Sequence, residues 1–94
     1  MEKEIVWTKQ AENDFWEIVT YLKDCWPPEV LTRFEQALTL KTQLLQKQPY
    51  IGFKSKKHSR FRKTFVTKYY AILYSVMKQE LVIVRVLHVR MKQG

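Results

Sequence analysis

A ten-residue segment, LVIVRVLHVR at 81–90, constrains the fold more than any other stretch of the sequence. Side chains of an extended strand alternate between two faces, and here both faces are apolar over most of the segment. One face carries Leu81, Ile83 and Arg85, and the other carries Val86 and His88. A strand of this kind is typical of a sheet interior covered by helices on one side and partly covered on the other.

Three further strand candidates precede this segment in the sequence. RFRKTFV (60–66) and KYYAILYSVM (68–77) are strand candidates, and the short connections between the three segments favour an antiparallel meander. KEIVW (3–7) is a further strand candidate at the start of the chain. The segment 49–59 is predicted to be a loop, with a positive φ at Gly52.

Two amphipathic helices are predicted between the first strand and the loop. Thr8 is suited to cap the first helix, which ends before Pro27 and Pro28. Pro28 suits the first turn of the second helix, which runs about 18 residues and ends before Pro49. The apolar stripe of the first helix consists of Ala11, Phe15, Ile18, Leu22 and Cys25.

The element order is therefore β-α-α-β-β-β in a single α+β domain, residues 1–94. A helical hairpin packs on one face of an antiparallel sheet. The sequence carries no phosphate-binding loop, dinucleotide fingerprint or zinc spacing, so we expect neither a cofactor nor a metal. A single cysteine allows no internal disulfide and favours the reducing cytoplasm, and no apolar run reaches the roughly 20 residues of a membrane span.

Charge is divided unevenly along the chain, whose formal net charge is +8. Residues 1–48 contain six Lys/Arg and eight Asp/Glu, whereas residues 49–94 contain eleven Lys/Arg and only Glu80. A basic half of this kind indicates a polyanionic or acidic partner, which RNA, DNA or an acidic peptide would satisfy. A merely solvated basic surface is the alternative.

The chain resembles the ParE/RelE superfamily, the toxins of bacterial type II toxin–antitoxin modules that are often labelled plasmid stabilization proteins. The resemblance is carried by four segments: VWTKQAENDFWEIVTYL, ALTLKTQLLQKQPYIG, YYAILYSV and VIVRVLHVR. It implies the RelE/ParE-like fold, a cognate antitoxin as partner, and one of two activities. ParE-type toxins inhibit DNA gyrase by binding, whereas RelE-type toxins cut mRNA on the ribosome.

The resemblance favours the ParE branch. RelE-like nucleases carry an arginine just after the first tyrosine of the strand that matches YYAILYSV, and here that position is Ala71. Arg90 does match a nuclease arginine, but no tyrosine follows Tyr74. If the chain were nevertheless a ribosome-dependent endoribonuclease, its catalytic residues would be His88, Arg90, Lys54 and Lys57. A non-toxic relative that only binds an antitoxin is a third reading.

The hypothesis is thus a bacterial cytoplasmic toxin that inhibits gyrase by binding, and whose outward-facing cations bind an acidic partner. Arg85 has two readings, since it must either pair with a first-helix acid such as Asp14 or Glu17, or await an acidic ligand. Trp16 lies off the apolar stripe of its helix and is a candidate for an exposed anchor. The predicted partner-binding residues are Arg60, Arg62, Lys63, Arg85, His88, Arg90 and Trp16.

Overall fold

The computed structural model describes residues 2–89, and these form two helices and one five-stranded sheet. The strand order is β1-β5-β4-β3-β2; β1 lies parallel to β5, and all other neighbours are antiparallel. The predicted fold class is confirmed, with the helical hairpin on one face and the meander intact. The elements are β1 (Glu4–Trp7), α1 (Lys9–Cys25), α2 (Pro28–Lys47), β2 (Phe53–Lys54), β3 (Arg62–Phe65), β4 (Tyr70–Val76) and β5 (Glu80–His88).

The sheet differs from the prediction in two respects. The two-residue strand β2 lies inside the predicted loop, because the chain reverses after Lys54 and pairs Phe53 with Lys63. The first strand makes the sheet mixed, because β1 pairs parallel with β5 from Glu4 to Trp7. A parallel pair needs a long crossover connection, and here the whole of the intervening chain supplies it.

The helices begin and end where the sequence predicts. The Thr8 side chain accepts a hydrogen bond from the backbone N–H of Ala11 at 3.0 Å, which caps α1. α1 ends at Cys25, with only Trp26 between it and the Pro27–Pro28 pair, and α2 begins at Pro28. The expectation that Cys25 belongs to the buried stripe is wrong, because the last turn of α1 leaves this cysteine exposed.

The core lies between the helices and one face of the sheet. A bulge alters the alternation of β5: Tyr74 pairs with Ile83 and Leu73 pairs with Arg85, so Val84 has no opposite residue. The sequence predicts that Val86 and Ile83 lie on opposite faces of β5. This prediction is wrong, because the bulge places Val86 in the core beside Ile83. The buried cluster comprises Ala11, Leu22, Phe34, Leu38, Leu45, Tyr70, Ile72, Tyr74, Leu81, Ile83 and Val86.

Gly52 is required by close packing and not by a positive φ. Its φ lies outside the left-handed region, which corrects the prediction. A Cβ at this position would lie 2.5 Å from the hydroxyl oxygen of Tyr74 and 2.7 Å from the carbonyl oxygen of Lys63. The Gly52 N–H donates to the Tyr74 hydroxyl at 3.0 Å, and that hydroxyl donates to the carbonyl of Pro49 at 2.8 Å. The loop is thereby fixed to the buried end of β4.

Candidate partner-binding surfaces

The edge of β5 beyond the end of β1 is closed by the start of α1. Thr8 donates its backbone N–H to the carbonyl of Ile83 at 3.1 Å and its hydroxyl to that of Val84 at 2.9 Å. One turn further on, Asp14 accepts the backbone N–H of Val86 at 3.0 Å. Thr8 and Asp14 therefore supply the hydrogen bonds that another strand would otherwise make.

Asp14 also binds the guanidinium of Arg85 with both of its oxygens. The Arg85 Nε and Nη2 atoms donate at 2.6 and 3.0 Å. These bonds raise the pKa of Arg85 above its usual value. The structure thus shows the first of the two readings of this residue, pairing with a first-helix acid. A role for Arg85 in partner binding stays a prediction, and its charge is already compensated within the chain.

The basic hairpin, residues 53–65, consists of β2, its turn and β3. Arg62 fixes this hairpin to the preceding loop, because its Nη1 donates to the carbonyl of Gly52 at 2.7 Å and its guanidinium lies 4.9 Å from the ring centre of Tyr50. Lys63 is half-buried on β3. Among residues 2–89 the single carboxylate ion pair is that of Asp14. The hairpin cations therefore face solvent or backbone without an acidic partner; the exposed ones are Lys54, Lys56, Lys57 and Arg60.

His88 lies exposed at the end of β5, with its ring 5.3 Å from that of Tyr70. The strand β4 separates it from β3 of the basic hairpin. Arg90, the other predicted cation at this end of the sheet, lies outside the described residues. His88 and the hairpin cations consequently do not form one cluster.

Trp16 stands at the mouth of a cleft between the two helices. Its side chain is 63% exposed, as its position off the helical stripe predicts. The cleft has a volume of about 430 Å³, and its walls are Trp7, Phe15 and Leu38, with Glu12 and Glu35 at the rim. The sequence does not predict these neighbours of Trp16, because they converge only where α1 and α2 cross over β1. Helical spacing of Glu35, Leu38 and Thr42 on α2 is the one signal that could have placed them on a shared face.

The described nuclease candidates Lys54 and His88 lie two strands apart in the sheet. Lys54 lies on β2 and His88 on β5, with two strands between them, a separation of about 14 Å at the usual strand spacing. Ala71, in the position of the nuclease arginine, is fully buried between Phe65 and Leu87 in the sheet register. General acid–base chemistry requires groups within hydrogen-bond reach of one reacting site, and these residues do not meet that condition.

Residues 2–89 contain neither a cluster of metal ligands nor a helix that could span a membrane. No three histidine, cysteine or carboxylate side chains in this range converge as metal ligands would. Neither helix in this range combines the length and apolar character needed to cross a membrane. The surface features that remain in this range are the exposed cations, the helical cleft and the exposed hairpin part of the sheet face opposite the helices.

Comparisons with known proteins agree with this architecture. The family model of the ParE toxin of type II toxin–antitoxin systems matches residues 5–93. No curated protein matches the sequence at a significant level. Among solved structures, the chain is similar to the chromosomal ParDE system of P. aeruginosa, with 18% identity, 95% of this chain and 98% of that chain covered, and a TM-score of 0.78.

Two further structures share the fold. One is the E. coli DinJ-YafQ toxin–antitoxin complex, with 14% identity, 94% of this chain and 93% of that chain covered, and a TM-score of 0.65. The other is the YoeB/ParE toxin of Agrobacterium tumefaciens, with 13% identity, 93% and 99% covered, and a TM-score of 0.64. At these identities the likeness shows a common fold.

Proposed function

Because the chain belongs to the ParE toxin family of type II toxin–antitoxin systems, we propose that it acts by binding and inhibiting DNA gyrase and that a cognate antitoxin neutralises it. Gyrase as the target implies action in the bacterial cytoplasm. The proposal makes the protein a binding inhibitor and not an enzyme.

The dispersion of the nuclease candidates is the observation that carries this proposal. A ribosome-dependent endoribonuclease needs an acid, a base and cations around one phosphate. Here the described candidates Lys54 and His88 are separated by two strands of the sheet, and Ala71 supplies no charge where the nucleases have an arginine. A surface of dispersed, solvent-facing cations suits the recognition of a partner better than bond cleavage.

The antitoxin contact is proposed to combine apolar and ionic parts. The cleft beside Trp16 offers apolar walls for the side chains of an amphipathic segment, and the basic hairpin offers cations for its acids. A segment that folds on contact can wrap both regions, although they lie toward opposite edges of the sheet. Since apolar burial contributes to this association, salt should weaken it only in part.

Parallel assays of gyrase and translation test the proposed target. Purified protein should inhibit the supercoiling of relaxed plasmid by gyrase and should leave cell-free translation and its mRNA intact. Loss of translation with cut mRNA, while supercoiling proceeds, would instead establish the ribosome-dependent nuclease. Inactivity in both assays, with growth unaffected on expression, would identify a non-toxic relative.

Two variants sharpen this test. His88→Ala removes the imidazole that would be the acid or base of a nuclease, so it should abolish mRNA cleavage by a nuclease but need not abolish gyrase inhibition. Lys57→Ala removes a candidate phosphate ligand of a nuclease from the basic hairpin, and it tests the nuclease hypothesis in the same way. If His88→Ala abolished mRNA cleavage by an active wild-type protein, the binding mechanism would be wrong.

A further inference from the structure

We propose that the face of the sheet opposite the helices, together with the basic hairpin, binds single-stranded nucleic acid. The open face is defined by the hairpin residues Phe53, Lys63 and Phe65; Leu73 lies on the same face of the sheet but is buried. This inference does not depend on gyrase being the target of the protein. The two hypotheses can therefore fail separately.

The strand register places two phenylalanines side by side on the open face. Thr64 is buried and pairs with Ile72 of the core, so Lys63 and Phe65, on either side of Thr64 in β3, point away from the helices. Phe53 pairs with Lys63 and shares that direction. The two rings lie 6.2 Å apart, and Phe53 and Phe65 are 52% and 46% exposed.

Uncompensated cations lie near these rings. Lys63 is directly opposite Phe53 and two residues before Phe65 on the same face, and the exposed Arg60 belongs to the same hairpin, whereas Lys54 pairs with Arg62 and points to the other face. The sequence contains no acid between Glu35 and Glu80, and no hairpin cation forms a carboxylate ion pair among residues 2–89. Positive charge next to exposed aromatic rings is the combination that binds the phosphates and bases of a single strand.

The shape of this face favours a nucleic acid over an acidic helical peptide. An amphipathic helix needs an apolar groove, and the 430 Å³ cleft of this chain lies between α1 and α2, away from the open face. A flat pair of exposed rings instead matches the planar faces of bases. Bases reach such rings only when they are unstacked, so a single strand is favoured over a duplex.

Fluorescence anisotropy with purified full-length protein tests the inference. The probes are labelled oligothymidylate and oligouridylate of about 20 nucleotides, a duplex of the same length, and a polyglutamate peptide of similar charge. The single strands should bind more tightly than the duplex and the peptide, and the comparison of DNA with RNA identifies the natural source. The logarithm of the affinity for oligothymidylate should fall with that of salt concentration, with a slope of about −3 for four phosphates.

Matched variants separate stacking from charge. Phe65→Ala should weaken oligothymidylate binding at least about fivefold, whereas Tyr21→Ala, which removes a 48% exposed ring from α1, should not. Arg60→Gln should reduce the salt slope by about 0.7, whereas Arg33→Gln on α2 should not change it. Equal binding of duplex or polyglutamate, or unchanged binding by Phe65→Ala, would overturn the proposal. Intact gyrase inhibition in the Phe65→Ala variant would show that the two activities are separate.

Discussion

The ion pair between Asp14 and Arg85 allows a quantitative prediction for Asp14→Ala. This substitution removes two charge-assisted hydrogen bonds, at 2.6 and 3.0 Å, and leaves the buried N–H of Val86 without its acceptor. An unsatisfied buried donor costs about 1–3 kcal/mol. The Arg85 side chain is 35% exposed, so solvent screening limits the ionic part to about 1 kcal/mol. We expect the free energy of unfolding to fall by about 3 kcal/mol.

Asp14→Asn separates the two contributions. Its remaining side-chain oxygen can still accept the Val86 N–H, so this variant should lose only the ionic part, about 1 kcal/mol. Urea titrations followed by tryptophan fluorescence measure both variants. For a domain of this size, Asp14→Ala should also lower the melting temperature by about 15 °C.

A double-mutant cycle and a control complete the experiment. Combining Asp14→Ala with Arg85→Met should cost less than the sum of the single changes, because each single change removes the same pair. Asp24→Asn, at the exposed end of α1, should cost no more than about 0.5 kcal/mol. If Asp14→Ala were as mild as Asp24→Asn, the α1 carboxylate would not hold the β5 edge and the reasoning would be refuted.

Two predictions concern the contact between Gly52 and Tyr74. Gly52→Ala should lower the free energy of unfolding by about 2 kcal/mol or more, because the added Cβ collides with the Tyr74 hydroxyl and the Lys63 carbonyl; an unchanged urea midpoint would contradict this. Burial is the main cause that raises the pKa of Tyr74 above its ordinary value of 10.0, so its contribution to stability is complete below pH 10 and is lost as the pH rises through the folded-state pKa. Tyr74→Phe should therefore flatten the decline of unfolding free energy that begins above about pH 10, and an equally steep decline in the variant and the wild type would exclude this role.

The elements of the fold could be predicted because local chemistry determines them. Thr8 and the Pro27–Pro28 pair fix the ends of α1, and the apolar segments of β4 and β5 are long enough to be recognised as strands. The bulge at Val84 could not be predicted, since it arises where β5 leaves β1 and meets α1. The two-residue β2 likewise depends on pairing with β3, because it is too short to carry a pattern of its own.

The sequence predicts the residue types of the candidate site, but it does not predict their arrangement in space. The concentration of cations in the second half of the sequence indicated an anionic partner. Only the structure shows that Arg62 holds a loop and that Arg85 holds α1 through their hydrogen bonds. The strand order shows that His88 stands apart from both. The exposure of Trp16 was expected from helical periodicity, whereas the cleft beneath it required two helices to cross.

The parallel pairing of β1 with β5 has a consequence for synthesis of the protein in the cell. Glu4 finds its partner only at Glu80, so the N-terminal strand has nothing to pair with until almost the whole chain has left the ribosome. The helical hairpin emerges first and must wait with its apolar stripe uncovered, which exposes the nascent chain to chaperones and proteases. Any chain interrupted before β5 would lack the strand that joins β1 to the rest of the sheet, so incomplete translation products should be degraded and harmless to the cell that makes them.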